Sequence, residues 1–129
     1  MKPRDEPRRA DRVAERLRTE LSELLLRGRL RDPGAKNVLI SDVKITDDLS
    51  QARIYLRTLD DADEARQARV VSAFERAAGF LRREIAPKLK LRRVPDLRFF
   101  WDDLVDRAIR IETILEETRT SDESDGNEP

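Results

Sequence analysis

Six Arg and Lys side chains lie close together between residues 82 and 93, and they define the main chemistry that this sequence offers. They are Arg82, Arg83, Lys88, Lys90, Arg92 and Arg93. Only one carboxylate, Glu84, lies among them. Guanidinium and ammonium groups donate hydrogen bonds to phosphate oxygens, and Arg can do so in a bidentate manner. The run therefore predicts a surface that binds a polyanion, and nucleic acid is the working hypothesis.

Other kinds of chemistry have little support. The sequence contains no histidine and no cysteine, which excludes disulfides, thiolate nucleophiles, zinc fingers and imidazole acid–base catalysis. The pairs Asp47-Asp48 and Asp102-Asp103 suggest a metal site, but adjacent strand residues point in divergent directions. Turn and helix-cap roles account for both pairs. We expect a binding protein that is not an enzyme and that uses no metal, cofactor or small-molecule substrate.

The charges are segregated along the chain, although the formal net charge is zero. Residues 1–31 carry ten basic and six acidic groups, and residues 76–98 carry eight basic and two acidic groups. Residues 99–129 carry three basic and ten acidic groups. Local charge determines what a surface attracts within a Debye length of about 8–10 Å. The neutral total is therefore compatible with a polyanionic partner.

Hydrophobic periodicity predicts an amphipathic helix from about residue 8 to residue 27. The apolar positions at helical spacing are Val13, Leu17, Leu21 and Leu24. Three cations, Arg8, Arg12 and Arg16, fall on the opposite side of this helix and extend the predicted polyanion surface. Gly28 is a plausible C-terminal stop.

Two strands are predicted next. In the first, VLISDVKI, the alternation places Leu39, Val43 and Ile45 on one face. The second, QARIYLRTL, places Ala52, Ile54 and Leu56 on one face and Arg53, Tyr55 and Arg57 on the other. The polar segment 46–50 between them is suited to a hairpin connection, so an antiparallel pair is expected.

A long helix with an interruption follows. Asp60, Asp61 and Asp63 precede it, where acidic side chains suit a helix start. Four cations recur every seven residues opposite an apolar stripe, namely Arg69, Arg76, Arg83 and Lys90. Small residues interrupt the helix at Ala77-Ala78-Gly79, and Pro87 is expected to end or bend it because Pro cannot donate the backbone hydrogen bond.

A third strand and a final helix complete the predicted elements. Leu97, Phe99 and Trp101 alternate as a buried strand face, which favours a core role over base stacking. Phe100 points to the opposite face and is the better candidate for an exposed contact, and Tyr55 is a similar candidate. A short helix is expected from Asp103 to about residue 117. Residues 1–7 are expected to form a flexible arm, and residues 118–129 a disordered acidic tail.

The predicted order of helix, strand, strand, kinked helix and strand gives an α+β fold with a three-stranded sheet. It resembles the K-homology (KH) fold in its type II topology, and the sequence resembles the ribosome-binding factor A family. The segments that carry this resemblance are DVKITDDLSQARIYL (42–56), AAGFLRREI (77–85), LKLRRVPDLRFFWDD (89–103) and DRAIRIETIL (106–115). The sequence lacks the G-x-x-G loop of ordinary KH domains, and Ala77-Ala78-Gly79 matches the A-x-G interruption of the resembled family. Pro87 departs from the family pattern.

The resemblance implies a KH-like RNA-binding domain over residues 8–117. It further implies a cytoplasmic, monomeric assembly factor that binds the free small (30S) ribosomal subunit and assists late maturation of 16S rRNA, including 5′-end processing. An alternative remains open, in which a basic-faced α+β regulatory module binds an acidic protein. The two hypotheses differ in whether the protein associates with ribosomal subunits, and in whether that association weakens steeply as salt is added.

Overall fold

The structure is a computed structural model, and it describes residues 8–103. Three α-helices and a three-stranded sheet occur in this range: α1 (Arg9–Leu26), β1 (Val38–Ile45), β2 (Gln51–Thr58), α2 (Glu64–Arg76), α3 (Ala78–Leu89) and β3 (Asp96–Trp101). The strand order is β1-β2-β3, with β1 and β2 antiparallel and β2 and β3 parallel. This arrangement confirms the predicted KH-like α+β topology. The predicted final helix, arm and tail lie outside the described residues.

One hydrophobic core joins the helices to one face of the sheet. It contains Leu17 and Leu21 of α1, Phe74 of α2, and Leu81 and Ile85 of α3, all of them at most 1% exposed. The sheet contributes alternate residues, namely Ile40, Val43, Ala52, Ile54, Leu56, Leu97 and Phe99. Because successive strand side chains point to opposite faces, the second face of the sheet carries the residues between these positions. Within residues 8–103 no helix is long and apolar enough to span a membrane.

Helix α1 ends as the sequence predicts. Gly28 adopts a left-handed backbone conformation with φ of 69°, which glycine reaches without steric cost. Its N–H donates to the carbonyl of Leu25, and the N–H of Arg29 donates to that of Leu24, both at 3.0 Å. These two bonds form the Schellman arrangement that satisfies the last helical carbonyls.

The predicted buried face of β1 is wrong at its beginning. Val38 and Ile40 are buried, whereas Leu39 is only half-buried. The pairing with β2 shifts register between Ile40 and Asp42, so one extra residue, Ser41, is inserted in β1. A β-bulge of this kind changes the phase of the alternation, which is why Val43 is buried as predicted while Leu39 is not.

The long helix divides into two. Helix α2 begins at its N-cap Asp63, whose side chain accepts a hydrogen bond from the N–H of Arg66. It ends at Arg76, and α3 begins at Ala78, so the break falls at Ala77. Of the two outcomes expected at Pro87, an end or a bend of the helix, the end does not occur, because α3 continues to Leu89. Pro87 leaves only the Arg83 carbonyl without its helical donor, and the left-handed residue Lys90 ends the helix instead, with φ of 55°.

Candidate nucleic-acid interface

Helices α1 and α3 bring two predicted cations together around one carboxylate. Arg16 Nε lies 3.0 Å from a carboxylate oxygen of Glu20, and Lys88 Nζ lies 3.9 Å from the other. The Glu20 side chain is only 13% exposed, whereas those of Arg16 and Lys88 are 56% and 45% exposed. Residues that are far apart in the sequence therefore form one cationic seam, and Glu20 partly neutralises it.

A second ion pair shows how the two helices run. Arg29, just beyond the end of α1, lies 2.8 Å from Glu84 near the middle of α3. Since Lys88 reaches Glu20 closer to the start of α1, the two helices run antiparallel. The end of α3 consequently lies toward the end of α1 that carries Arg12.

Four of the predicted cations are exposed without a carboxylate partner among residues 8–103. They are Arg83, Lys90, Arg92 and Arg93. Arg83 lies on the side of α3 opposite the buried Leu81 and Ile85. The other three lie at or just after the end of α3. We name the surface formed by Arg12, Arg16, Arg83, Lys88, Lys90, Arg92 and Arg93 the α1–α3 surface.

Arg76 lies at the end of α2 and is anchored to a loop. Its guanidinium lies 2.9 Å from a carboxylate oxygen of Asp32. The backbone N–H of Gly34 and the guanidinium of Arg76 both donate to Asp32, and together they lower the pKa of this carboxyl, the backbone bond having the larger effect. Gly34 packs so closely on α2 that an added Cβ would lie 2.9 Å from that of Ala73. Arg76 remains 64% exposed, but its direction is fixed by this loop.

Arg82 differs from the other predicted cations because it turns inward. Its guanidinium donates to the carbonyl of Val94 at 2.9 Å. Its Nε is buried and has no hydrogen-bond partner among residues 8–103. Arg82 therefore connects α3 to the segment that enters β3. This contact gives it a structural role that the sequence pattern did not distinguish from a surface role.

The N-terminal end of α1 carries the remaining predicted cations. Arg8 is the N-cap residue and lies before the helix, 3.5 Å from Asp47 in the hairpin between β1 and β2. Both side chains of this pair are largely exposed, and such pairs contribute little to stability. Arg12 is exposed one turn before Arg16, so it extends the cationic seam along α1.

The small-residue triplet lies at the helix break. Ala77 connects α2 and α3 and has helical bonding on both sides, because its N–H donates to Ala73 and its carbonyl accepts from Leu81. Gly79 is exposed, and a Cβ added there would meet only the Arg83 guanidinium, at 3.6 Å. Packing within the described chain therefore does not require glycine at this position.

The two carboxylate pairs have different roles. Asp48 accepts hydrogen bonds from Ser50 and Thr46 in the hairpin, and these bonds lower its pKa, those from Ser50 most. Asp102 is 2% exposed and accepts from the Ser41 hydroxyl at 2.5 Å. It thus connects the end of β3 to the bulge in β1, a role that the cap interpretation missed. No cluster of carboxylates in residues 8–103 could hold a metal ion.

Several of these contacts were not predicted from the sequence. Glu20 and Glu84 approach their partners only because α1 packs against α3. Ser41 reaches Asp102 only because of the β1 bulge. One signal was available: Glu20 follows Arg16 by four residues on the same helix, a spacing that favours an ion pair.

The fold and this surface together define a KH-like α+β domain with a cationic helical face. A family model described as ribosome-binding factor A matches residues 9–115. The chain belongs to this family.

Individual comparisons agree with this assignment. The chain is 47% identical over 113 residues to a ribosome-binding factor A from Sorangium cellulosum, covering 87% of this chain and 90% of that protein. It is 40% identical over 115 residues to one from Chromohalobacter salexigens, with coverage of 89% and 87%.

Solved structures of this family are also similar to the chain. A solution NMR structure of a Thermotoga maritima putative ribosome binding factor A has a TM-score of 0.59 and 32% identity, covering 78% of this chain and 93% of that one. The crystal structure of ribosome-binding factor A from Thermus thermophilus has a TM-score of 0.62 at 22% identity, covering 71% and 93%. The latter similarity supports the fold.

Proposed function

We propose that this protein is a non-enzymatic ribosome assembly factor. In this proposal the monomeric protein binds the free small (30S) ribosomal subunit through the α1–α3 surface, contacts 16S rRNA, and promotes its late maturation and 5′-end processing in the cytoplasm. The single observation that carries the proposal is the exposed cationic seam on α1 and α3, in a chain that belongs to the ribosome-binding factor A family.

The physical basis is the phosphate lattice of folded rRNA. Each Arg or Lys that neutralises a phosphate releases condensed counterions, so affinity depends steeply on salt. Arg83, Lys90, Arg92 and Arg93 are exposed and have no carboxylate partner in the described part of the chain, so they can provide such contacts directly. A phosphate must compete with Glu20 for Arg16 and Lys88, so each of these two cations contributes less to the binding free energy.

Co-sedimentation with purified 30S subunits at several salt concentrations tests this proposal. We expect binding at low salt that weakens as salt rises. Replacing Arg83, Lys90 and Arg92 together with Gln should reduce affinity and lower the slope of log K against log salt by about one per lost phosphate contact. These side chains are exposed, so thermal melting should remain close to that of the wild type.

A matched triple variant controls for total charge. Arg27, Arg31 and Lys36 are also exposed, but they lie at the end of α1 and in the loop after it. Their replacement with Gln should leave 30S binding nearly unchanged. Equal losses in both variants would contradict the assignment of the interface to the α1–α3 surface. Absence of 30S association at low salt would reject the ribosomal proposal and favour an acidic protein partner.

The processing role needs a separate measurement. Cells depleted of the protein should accumulate 16S rRNA with an unprocessed 5′ end, which primer extension detects. Expression of the wild-type chain should restore the mature end, and the variant with Arg83, Lys90 and Arg92 replaced should not. Full restoration by that variant would show that 5′-end processing does not depend on these cations of the α1–α3 surface.

A further inference from the structure

The face of the sheet that points away from the helices carries a cluster of cations and aromatic rings. On β2 it presents Arg53 and Tyr55, and on β3 it presents Arg98 and Phe100, at the positions between the buried residues. Lys44 of β1 completes the set, since it pairs with Arg53 across the strands. We name Lys44, Arg53, Tyr55, Arg98 and Phe100 the outer sheet surface.

The three cations of this surface form one row across the sheet. Lys44 is the register partner of Arg53, and Arg53 is the register partner of Arg98. All three side chains are exposed, and neighbouring strands lie only about 4.8 Å apart. Like charges at directly opposite positions destabilise a sheet, so this row lowers the stability of the fold unless an anion lies against it.

Two carboxylates, Asp42 and Asp96, lie on the same face beside the row and relieve only part of this repulsion. In residues 8–103 neither Arg53 nor Arg98 forms a salt bridge, and the only one at Lys44 is a long contact of 3.8 Å to Asp42. Asp96 lies at the start of β3 on the same face, at the rim of the row. Arg53 also lies over the Phe100 ring, with 5.8 Å from its Cζ to the ring centroid. Within residues 8–103 the row is therefore not neutralised, and it suits an added anion.

The aromatic pair adjoins the cation row. Tyr55 and Phe100 are register partners on β2 and β3, and their ring centroids are 5.7 Å apart with an interplanar angle of 32°. Phe100 is 40% exposed, although its sequence neighbour Phe99 is 3% exposed. An exposed ring offers a face for a nucleobase, and such stacking contributes about 1–3 kcal/mol per base. Cations beside aromatic rings match the alternation of phosphate and base in a single strand.

We propose that the outer sheet surface binds unpaired RNA, with phosphates on the row of Lys44, Arg53 and Arg98 and bases stacked on Phe100 and Tyr55. The helices pack on the opposite side of the sheet, so this site is separate from the α1–α3 surface. A chain with both sites can contact two RNA segments at once. The proposal does not depend on the ribosomal function, because it concerns free single-stranded RNA.

The test compares two probes for binding to the full chain. One is a mixed-sequence RNA of about ten nucleotides, within the range of single-strand binding sites. The other is a ribose-phosphate strand of equal length without bases. We expect the RNA to bind at least about tenfold more tightly, which corresponds to roughly 1.4 kcal/mol of stacking. Equal affinities would overturn the proposal.

Two variants locate this base preference. Phe100→Leu keeps an apolar side chain but removes the ring face, and it should abolish most of the preference for RNA. Arg98→Gln should weaken both probes and keep the preference. Arg31→Gln, in the exposed loop after α1, is the matched control and should leave both affinities and the preference unchanged. A preference that persists in Phe100→Leu would overturn the assignment. If Phe100→Leu does not fold, Arg98→Gln decides instead, and unchanged binding of both probes would overturn the assignment.

A competitor distinguishes RNA from an acidic protein. Polyglutamate of equal charge carries no bases, so it should displace the RNA much less effectively than unlabelled RNA does. Equal competition by both would mean that the surface recognises charge alone, and the proposal of an RNA site would then be wrong.

Discussion

On the α1–α3 surface one carboxylate lies between two of the cations, whereas on the outer sheet surface cations of adjacent strands lie beside one another. Glu20 contacts both Arg16 and Lys88 in the first case. In the second, Arg53 lies opposite cations on both neighbouring strands. The same residue types thus have different electrostatic surroundings on the two sides of one small domain.

This difference shows that a count of Arg and Lys is a poor measure of affinity for a polyanion. Phosphates that approach Arg16 must compete with a carboxylate that is already in place. Phosphates that approach Arg98 instead relieve a repulsion between strands. If phosphates bind there as proposed, we expect the second arrangement to contribute more binding free energy per cation, at the cost of some folding stability.

Both surfaces depend on one core, and neighbouring Phe residues separate the core from the outer sheet surface. Phe99 packs on Phe74 with a centroid distance of 5.4 Å, whereas Phe100 is outside. Phe99→Ala should lower the free energy of unfolding by about 3–5 kcal/mol. Phe100→Ala should lower it by about 0.5–1.5 kcal/mol through the lost contact with Tyr55. Urea denaturation measures both, and equal losses would show that Phe100 is a core residue.

The competition at Glu20 gives the next largest effect. Glu20→Gln keeps the side-chain shape and removes the charge that neutralises Arg16 and Lys88. We expect affinity for 30S subunits to rise about fivefold, since one surface charge interaction near 4 Å amounts to roughly 1 kcal/mol in water. Filter binding measures this affinity. The control is Glu15→Gln, which removes the ion pair with Arg18 on the same helix. Unchanged affinity in Glu20→Gln would place the rRNA contact away from the seam.

The elements could be predicted from the sequence because local patterns determine them. The apolar stripe of α1, the Gly28 stop and the alternation in β2 and β3 depend on neighbours within a few residues. The β1 face could not be predicted, since nothing local indicates the extra residue at Ser41.

The roles of individual cations were less accessible to prediction. Arg82 and Arg83 are adjacent in the sequence, yet one binds the Val94 carbonyl and the other is exposed. Only the path of the chain between α3 and β3 determines this difference. The row of Lys44, Arg53 and Arg98 likewise depends on strand register, and register joins residues that are distant in the sequence.

The repulsion within that row predicts a stabilising substitution. Arg98→Gln should raise the free energy of unfolding by about 0.2–1 kcal/mol, the range for a cross-strand charge pair. Arg69→Gln is a matched control, because Arg69 is exposed on α2, and it should change stability little. A loss of stability in Arg98→Gln would show that Arg98 makes a favourable contact, and the case for an external anion at the row would weaken.

The smallest expected effect concerns the stability of the fold at acid pH. It distinguishes Arg76, which is paired with Asp32, from the cations of the outer sheet surface. The pKa of Asp32 is lowered in the folded state, mainly by the Gly34 N–H and then by Arg76. The stabilisation from this carboxylate is therefore complete above its unfolded value of about 3.9, and it is lost as pH falls through the lower folded pKa. Asp32→Asn should flatten the dependence of the urea midpoint on pH below about 4.

Arg76→Gln should flatten this acid dependence less than Asp32→Asn does, because the Gly34 hydrogen bond remains in that variant and is the larger cause. Asp61→Asn, at an exposed carboxylate outside this cluster, is the matched control. Equal flattening in Asp32→Asn and Arg76→Gln would mean that the ion pair, rather than the loop backbone, holds the carboxylate in its charged form. Arg76 would then be committed to Asp32 and of little use to a phosphate, in contrast to Arg98, which forms no salt bridge within residues 8–103.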